Sequence, residues 1–424
     1  MAEHDDGAIR RVAWFEVFRW LHIVGAFRLA IGVRGLILGA LGAIVMATGW
    51  WLIGWLFIAP TAKSATATDW LAPYVECPWK AITDKAVPET PGVPFVPASA
   101  VEKSLASAYA AELLDTESPA AGWRPHDAVG SPARLLTKPA RAALTWRNAS
   151  FRDLLCLGFC GLWGVAVWAL FGGAMCRTAA LQLAADEHVG LLAALRFAWH
   201  KWPAYCAAPL MPVAAMLLAA ICIAIVGLLM NWIGVLVGGV LWPLVLVAGF
   251  VMGILLLGAL FGWPLMWGAI STEGTDSFDA LSRSYSYTFQ RPLCYLFYAI
   301  VAAVIGWLGW LLVANFAAAV IWLGYWAADW GFGHDGVRAI GGFSGWLIHF
   351  WTGCVKLLAV GYLFSYFWSV SAAAYLLLRR DVDATEIDEV FLDADGSEPA
   401  GELPPITTDE AGAPVVGDSA ESAE

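Results

Sequence analysis

The feature that most constrains this chain is a set of six apolar runs, each long enough to cross a bilayer. About 20 apolar residues are needed to span about 30 Å of hydrocarbon. A helix of a soluble protein has one apolar face, whereas these runs are apolar all round. They therefore predict an all-α, polytopic membrane helix bundle. The six predicted spans lie at residues 31–59, 153–176, 204–230, 234–268, 293–323 and 346–378.

The composition agrees with a membrane protein. Hydrophobic residues make up 60% of the 424 positions and charged residues 14%, whereas an average soluble protein has about 45–50% and about 25%. The chain has 25 tryptophans and 42 glycines, and membrane helices are rich in Gly and carry Trp at their ends. This composition excludes a disordered chain, a secreted disulfide scaffold and an ordinary cytosolic enzyme.

The formal net charge of −11 is unevenly distributed. Residues 381–424 hold 14 acidic side chains and neither Lys nor Arg, so the remaining 380 residues, with 24 basic and 21 acidic side chains, carry +3. A segment this acidic and this poor in aromatic residues cannot fold alone. We therefore predict a disordered acidic C-terminal tail. It is either simply solvated or a docking strip for a basic protein partner.

The basic residues predict the orientation, because Lys and Arg are retained on the cytoplasmic side of short loops. With the N-terminus inside, the inner segments hold 12 basic residues and the short outer loops hold only Arg338. Both termini are expected to be cytoplasmic, in a bacterial inner membrane. The predicted domains are a cytoplasmic N-terminus with an interfacial helix (1–30), the first span (31–59), an extracytoplasmic segment (60–151), a membrane domain with about five spans (152–380) and the acidic cytoplasmic tail (381–424).

Amphipathic, basic stretches precede three of the predicted hairpins, at residues 12–22, 186–202 and 276–287. Helices of this kind lie in the headgroup plane of a membrane. In the third stretch, we expect Asp276 to cap the helix N-terminus and Asp279 to pair with Arg283 at i,i+4 spacing. The alternative is that these stretches are the ordinary basic loops of a multi-pass protein.

The third stretch also carries a short motif. Residues 273–284 read EGTDSFDALSRS, an acid–Gly–x–x–x–Phe–x–Ala–Leu–x–Arg–Ser pattern that begins at Glu273 and ends at Ser284. Over these twelve residues, the chain resembles a loose group of uncharacterised bacterial multi-pass membrane proteins, which carry the pattern in cytoplasmic loops. The resemblance implies a membrane location and helical hairpins. It implies no activity and no catalytic residue.

Two features of the spans concern helix packing. Gly35 and Gly39 form a G-x-x-x-G pattern in the first span, and such patterns let helices approach closely. They predict close packing, either inside the bundle or in a dimer. The run 234–268 is too long for one straight span, so we expect a kink near Pro243 or an exit from the membrane around Pro264.

One set of polar residues is a candidate intramembrane site. Lys356 lies about ten residues into the last span, where a charge costs at least about 2.5 kcal/mol. His349, Thr352 and Lys356 share a helix face, and Asn315 is the other deep polar residue. These residues either line a polar cavity or bind an anionic headgroup. Alternatively, Lys356 has a structural role, snorkelling to the interface or bonding to a neighbouring helix.

The sequence assigns no catalytic, metal or cofactor-binding residue, and it predicts no cofactor and no nucleic-acid partner. Our leading interpretation is a non-enzymatic membrane component that organises membrane lipids or partner proteins through its interfacial helices and tail. The alternative is a permease or channel-like protein for a small or lipid-like solute, with the Lys356 set near its path.

Overall fold

The fold is that of a computed structural model, which describes residues 18–58, 151–333, 337, 340–391, 406–408 and 414–416. The predicted extracytoplasmic segment lies outside the described residues except for its last position. The same holds for the start of the first amphipathic stretch and for most of the acidic tail.

The described part of the chain contains nine helices and one pair of short strands. The strands, β1 (Ile406–Thr408) and β2 (Pro414–Val416), pair antiparallel. The helices are α1 (Leu21–Ala30), α2 (Val33–Ile58), α3 (Phe151–Ala184), α4 (Leu191–His200), α5 (Trp202–Ile233), α6 (Val235–Glu273), α7 (Ser277–Gln290), α8 (Pro292–Phe332) and α9 (Gly342–Asp383).

Six of these helices are long and apolar enough to cross a membrane, namely α2, α3, α5, α6, α8 and α9. The predicted all-α architecture with six spans is therefore confirmed. Pro203 and Pro292 stand in the first turns of α5 and α8, where the missing N–H leaves no helical hydrogen bond unmade. Both prolines separate a long helix from the short helix before it.

Protein encloses the second half of α9 on all sides. Every residue from 359 to 379 is buried, and α9 packs against α1, α2, α3, α6 and α8. Tyr362 and Tyr366 donate their hydroxyls to the carbonyls of Gly306 and Ala302 in α8, at 3.4 and 2.8 Å. We call residues 359–379 the enclosed half of α9.

Stacked aromatic rings join α3, α6 and α9 at the centre of this core. The rings of Trp267 and Trp368 stack with centroids 4.3 Å apart, and those of Trp168 and Phe364 with centroids 4.2 Å apart. All four side chains are buried within the protein. The core is therefore a protein interior and not a lipid-facing surface.

The G-x-x-x-G pattern packs inside the chain. A methyl group on Gly39 would overlap the carbonyl oxygen of Gly361 in α9, and one on Gly35 would overlap the hydroxyl of Ser365. Because only Gly leaves room there, α2 can lie against the enclosed half of α9. Of the two predicted uses of the pattern, the structure shows close packing within the bundle.

The α5–α6 hairpin has the opposite character. Phe250 of α6 is 69% exposed, and its neighbours up to Phe261 are mostly exposed as well. From Gly262 onwards α6 is largely buried in protein. Residues 235–268 of this run thus belong to one helix, α6, which Gly234 with φ +125° separates from α5. The burial of α6 changes close to Pro264, while an exit from the membrane at this position stays a prediction.

Two of the three amphipathic stretches contain the expected short helices, α4 and α7. In the first stretch, residues 18–20 form a turn and the helix begins only at Leu21. Contacts group the short helices α1, α4 and α7 with the start of α8 and the end of α9 at one end of the bundle. They include Arg19 and Tyr298 with Asp381, Tyr287 with Asp383, and Arg177 of α3 with Phe197 of α4. We call this end of the bundle the basal end.

Candidate functional site

The structure buries Lys356 in α9 and gives Asn315 a hydrogen bond within α8. Lys356 is only 3% exposed on α9. One turn earlier, the Thr352 hydroxyl donates to the Ile348 carbonyl at 2.9 Å and lies 3.3 Å from the Tyr325 hydroxyl of α8. The Asn315 amide donates to the Leu311 carbonyl at 2.7 Å, so this hydrogen bond stays within α8 and does not join Asn315 to the α9 residues. His349 lies on α9, half-buried.

The basal end contains a polar cluster that the sequence analysis did not single out as a site. Its centre is the carboxylate of Glu273, the last residue of α6. The guanidinium of Arg283 lies 2.8 Å from it, the Tyr375 hydroxyl donates to it at 2.6 Å, and the Arg379 guanidinium lies 3.6 Å away. Three helices, α6, α7 and α9, are thereby tied together.

These contacts correct one prediction and confirm another. Asp276 does cap α7, because its carboxylate accepts from the Asp279 amide at 2.9 Å. Arg283, however, forms its ion pair with Glu273 and not with Asp279. The reason is geometric: the turn between α6 and α7 brings Glu273 to the buried side of α7, whereas Asp279 is exposed to solvent.

The motif of residues 273–284 has a structural explanation at most of its fixed positions. Gly274 ends α6 with φ +64°, a conformation that favours glycine. Ala280 and Ser284 are fully buried, and the Ser284 hydroxyl donates to the Gly262 carbonyl. Phe278 is the exception, since its side chain is 67% exposed. The motif residues therefore determine how α7 packs after α6, and only the Phe278 ring is left exposed on the protein surface.

The chain after α9 folds back onto this turn. We call residues 384–391 the C-terminal segment. Arg379, which is 3% exposed, donates to the carbonyls of Glu386 and Glu389. The Phe391 amide donates to the Thr272 carbonyl at 2.8 Å. Because the Phe391 ring lies directly against Gly274, the root of the acidic tail is fixed at the α6–α7 turn.

A second buried arginine lies beside the C-terminal segment. Arg177 of α3 is 2% exposed and donates to the Ser271 carbonyl at 2.8 Å. Its guanidinium lies 4.3 Å from the ring centroid of Phe197 in α4 and 5.8 Å from that of Phe391. Cation–π contacts at such distances stabilise a desolvated charge. Arg177 therefore joins α3, α4, α6 and the C-terminal segment.

The protonation properties of the basal end follow from its burial. Burial raises the pKa of the Tyr285 hydroxyl to about 12, and burial and the neighbouring Asp383 carboxylate raise that of Tyr287. Burial alone would lower the pKa of Arg283, but the Glu273 carboxylate and two tyrosines outweigh it and raise the pKa. At neutral pH the two tyrosine hydroxyls therefore stay protonated and Arg283 stays charged.

Among the described residues, no group of three or more His, Cys, Asp or Glu side chains could hold a metal ion. No protein-family model, no curated protein and no solved structure matches this chain. Its function therefore has to be inferred from its own geometry.

Of the residues in the polar cluster around Glu273, only Glu273 and Arg283 were indicated by the sequence, because both belong to the motif of residues 273–284. Tyr375 and Arg379 look like any other residues near the end of a span.

Proposed function

We propose that this chain is a non-enzymatic component of a bacterial inner membrane, with both termini in the cytoplasm, which organises lipids or partner proteins at its basal end. That the chain is an integral membrane protein rests on the six long apolar helices. The proposed role is supported by the way the short basal helices α4 and α7 are built.

The observation that carries the proposal is the division of α4 and α7 into a docked face and an outward face. Ala194 and Ala198 bury α4 against the bundle, and Ala280 and Ser284 do the same for α7. Small residues bring these faces close to the bundle, so both short helices are held firmly. Large apolar residues point away from it, namely Leu192, Trp199, Phe278 and Phe289, which are between 47% and 81% exposed.

An outward apolar face on a docked helix suits contact with lipid or with another membrane protein. Exposed apolar side chains on interfacial helices insert into the boundary between headgroups and acyl chains. The structure holds these helices in place, so they would present a fixed pattern of apolar side chains to the surrounding leaflet. The tail, rooted at Phe391, would present its carboxylates to a basic partner from a fixed point.

The proposal is tested on the full chain, extracted together with its surrounding membrane patch. The outward faces are made polar with Leu192→Ser/Trp199→Ser and Phe278→Ser/Phe289→Ser, and mass spectrometry measures the lipids and proteins of each patch. We expect both variants to change the patch composition. Phe250→Ser, on the exposed part of α6, is the matched control. If all variants retain the wild-type lipids and proteins, the proposal is wrong.

The role of the tail is tested by ending the chain after Phe391. This position keeps the C-terminal segment and its contacts with Arg379 and Thr272, so the fold is preserved while residues 392–424 are removed. We expect proteins bound through the acidic tail to be lost from the patch. If the captured proteins do not change, the tail is not a docking strip.

The alternative function is a permease or channel-like protein, and it is motivated by the presence of a charged side chain, Lys356, within a helix long enough to span the membrane. Hydroxyl-radical labelling of the full chain in membranes distinguishes the two, because labelling requires water at the side chain. Tyr325, beside Thr352, should be labelled if a hydrated path reaches this region. Tyr362, in the enclosed half of α9, is the control. If Tyr325 is as unreactive as Tyr362, the permease function is contradicted.

A further inference from the structure

The C-terminal segment covers the guanidinium of Arg379, which is only 3% exposed. The Nη2 group of Arg379 donates to the backbone carbonyls of Glu386 and Glu389. Glu386, Asp388 and Glu389 are exposed, so their carboxylates would leave together with the segment if it moved. The segment therefore gives a buried cation neutral oxygens in place of an anion.

The hydrogen-bonding capacity of Arg379 is only partly used. Its Nε–H is buried and has no hydrogen-bond partner among the described residues, which costs free energy. Its Nη1 group lies 3.6 Å from the Glu273 carboxylate, but the same carboxylate also pairs with Arg283 at 2.8 Å. Two guanidinium charges thus share one carboxylate, and the edge of Arg379 formed by Nε and Nη2 has no anion in these contacts.

This edge has the donor geometry of an oxyanion site. Arg binds carboxylate and phosphate groups most strongly through two parallel N–H donors, and Nε–H and one Nη2–H form such a pair. Further positive charge lies nearby, since the Lys201 ammonium donates to the Gly274 carbonyl and the Arg177 guanidinium lies 5.8 Å from the Phe391 ring centroid.

Several carboxylates near the α6–α7 turn have partners of their own. Asp381 pairs with Arg19, Asp383 accepts from the Tyr287 hydroxyl, and Asp276 caps α7 by accepting from the Asp279 amide. The Asp279 side chain lies on the exposed side of α7. These contacts leave the Nε and Nη2 edge of Arg379 to the C-terminal segment.

The contacts that hold the C-terminal segment favour local opening. Ala384, where the chain leaves α9, has φ +57°, a left-handed conformation that is unfavourable for a residue with a Cβ atom. At the other end, the Phe391 amide donates to the Thr272 carbonyl at 2.8 Å, but the Phe391 ring is 45% exposed. Segments held by few buried contacts open without global unfolding. Ale384 would act as the hinge.

We propose that the C-terminal segment covers a phosphate-binding site, in which Arg379 binds a phosphate group when the segment opens. This inference rests on the proposed function and names a ligand class for the basal end. The phosphate belongs either to a lipid headgroup or to a free ion, and basic pockets at the cytoplasmic ends of membrane helices bind such headgroups. The phosphate oxygens would accept from Nε and Nη2 in place of the two backbone carbonyls.

The first test measures hydrogen exchange of the full chain in phosphatidylcholine vesicles by mass spectrometry. The probe is either phosphatidic acid in the vesicles or inorganic phosphate in the buffer. A ligand that binds only the open state increases the population of that state. We therefore expect the effective probe to speed exchange in residues 384–391 and not in the enclosed half of α9. The probe that acts identifies the source of the phosphate, and no effect of either probe overturns the inference.

The second test opens the segment by substitution. Phe391→Pro removes both the ring and the amide N–H, so it should raise the affinity for the effective probe about tenfold. In this background, Arg379→Gln should lower the affinity at least about tenfold. Arg380→Gln, which removes a charge near His22 of α1, is the matched control. Native mass spectrometry measures the lipid and equilibrium dialysis the free phosphate.

Two outcomes of the second test contradict the inference. One is an unchanged affinity in Phe391→Pro, and the other is an equal loss in Arg379→Gln and Arg380→Gln. In either case the patch composition could still depend on the outward residues of α4 and α7. Failure of the inference is therefore distinguishable from failure of the proposed function.

Discussion

The enclosed half of α9 and the α5–α6 hairpin are both membrane-type helices, yet protein surrounds the first and leaves the second exposed. Every residue of the enclosed half of α9 is buried, whereas none of the residues in the most apolar stretch of α5 and 6% of those in the most apolar stretch of α6 are buried. The most apolar spans are thus the least buried. Lipid is as apolar as leucine, so apolarity does not drive helices together. Small residues, aromatic stacking and hydroxyl hydrogen bonds mark the enclosed helix.

The largest expected effect comes from removing an aromatic ring from the core. Trp368→Ala deletes the ring that stacks on Trp267, at a position with no exposed surface. We expect a loss of about 3–5 kcal/mol in the free energy of unfolding, because neither lipid nor detergent can fill an enclosed void. Thermal unfolding of the detergent-solubilised protein measures this loss.

Two controls sharpen this prediction. Phe250→Ala, on the exposed part of α6, should change the stability little, since lipid or detergent chains replace the ring. Trp368→Phe should recover most of the loss, because the Trp368 indole N–H has no hydrogen-bond partner among the described residues. If Phe250→Ala is as harmful as Trp368→Ala, the contrast between the two regions is wrong.

The next largest effect concerns the close approach of α2 and α9. Gly39→Leu places a side chain where the Gly361 carbonyl lies, so the helices must separate. We expect the free energy of unfolding to fall by about 3 kcal/mol. Gly253→Leu on α6 is the matched control, because no atom lies within 4 Å of its substituted position. Equal losses for the two variants in thermal unfolding would contradict the packing.

Much of the fold was predictable, because the length of each apolar run in the sequence indicates whether a helix can span the membrane. The apolar runs predicted all six spanning helices, and Asp276 was correctly predicted to cap α7. The enclosure of α9 could not be predicted in the same way, since hydropathy does not distinguish a lipid-facing helix from an enclosed one. In hindsight, Tyr362 and Tyr366 in α9 are the signal, because their hydroxyls need partners that lipid cannot supply.

The candidate sites were less predictable, since they depend on which elements meet. Lys356 and Asn315 were grouped by depth, yet the Asn315 amide bonds within its own helix. The basal cluster joins Glu273 to Arg379, more than 100 positions further along the chain. A spacing rule finds neighbours on one helix, which is why it paired Arg283 with Asp279. The turn after Glu273 decided the actual partner.

A smaller loss of stability is expected from the polar cluster around Glu273, which contacts Tyr375 and Arg379 in the enclosed half of α9. Glu273→Gln removes the charge that Arg283 and Arg379 share, and we expect a loss of about 1–3 kcal/mol in the free energy of unfolding. Asp279→Asn, on the exposed side of α7, is the matched control and should be nearly neutral. Chemical denaturation in detergent compares the two. A neutral Glu273→Gln would mean that the cluster does not stabilise the core.

The smallest effect is expected at the exposed edge of the same region. Arg19 pairs with Asp381 at 2.8 Å, but 48% of the Arg19 side chain is exposed, so water and salt screen the pair. Arg19→Ala should therefore lower the free energy of unfolding by only about 0.2–1 kcal/mol, and less at high salt. Asp381 would keep its hydrogen bond from the Tyr298 hydroxyl at 2.7 Å, so no carboxylate is left without a partner. A double-mutant cycle with Asp381→Asn, measured at low and high salt, isolates the pair. A coupling that is large and independent of salt would place this edge inside the enclosed region.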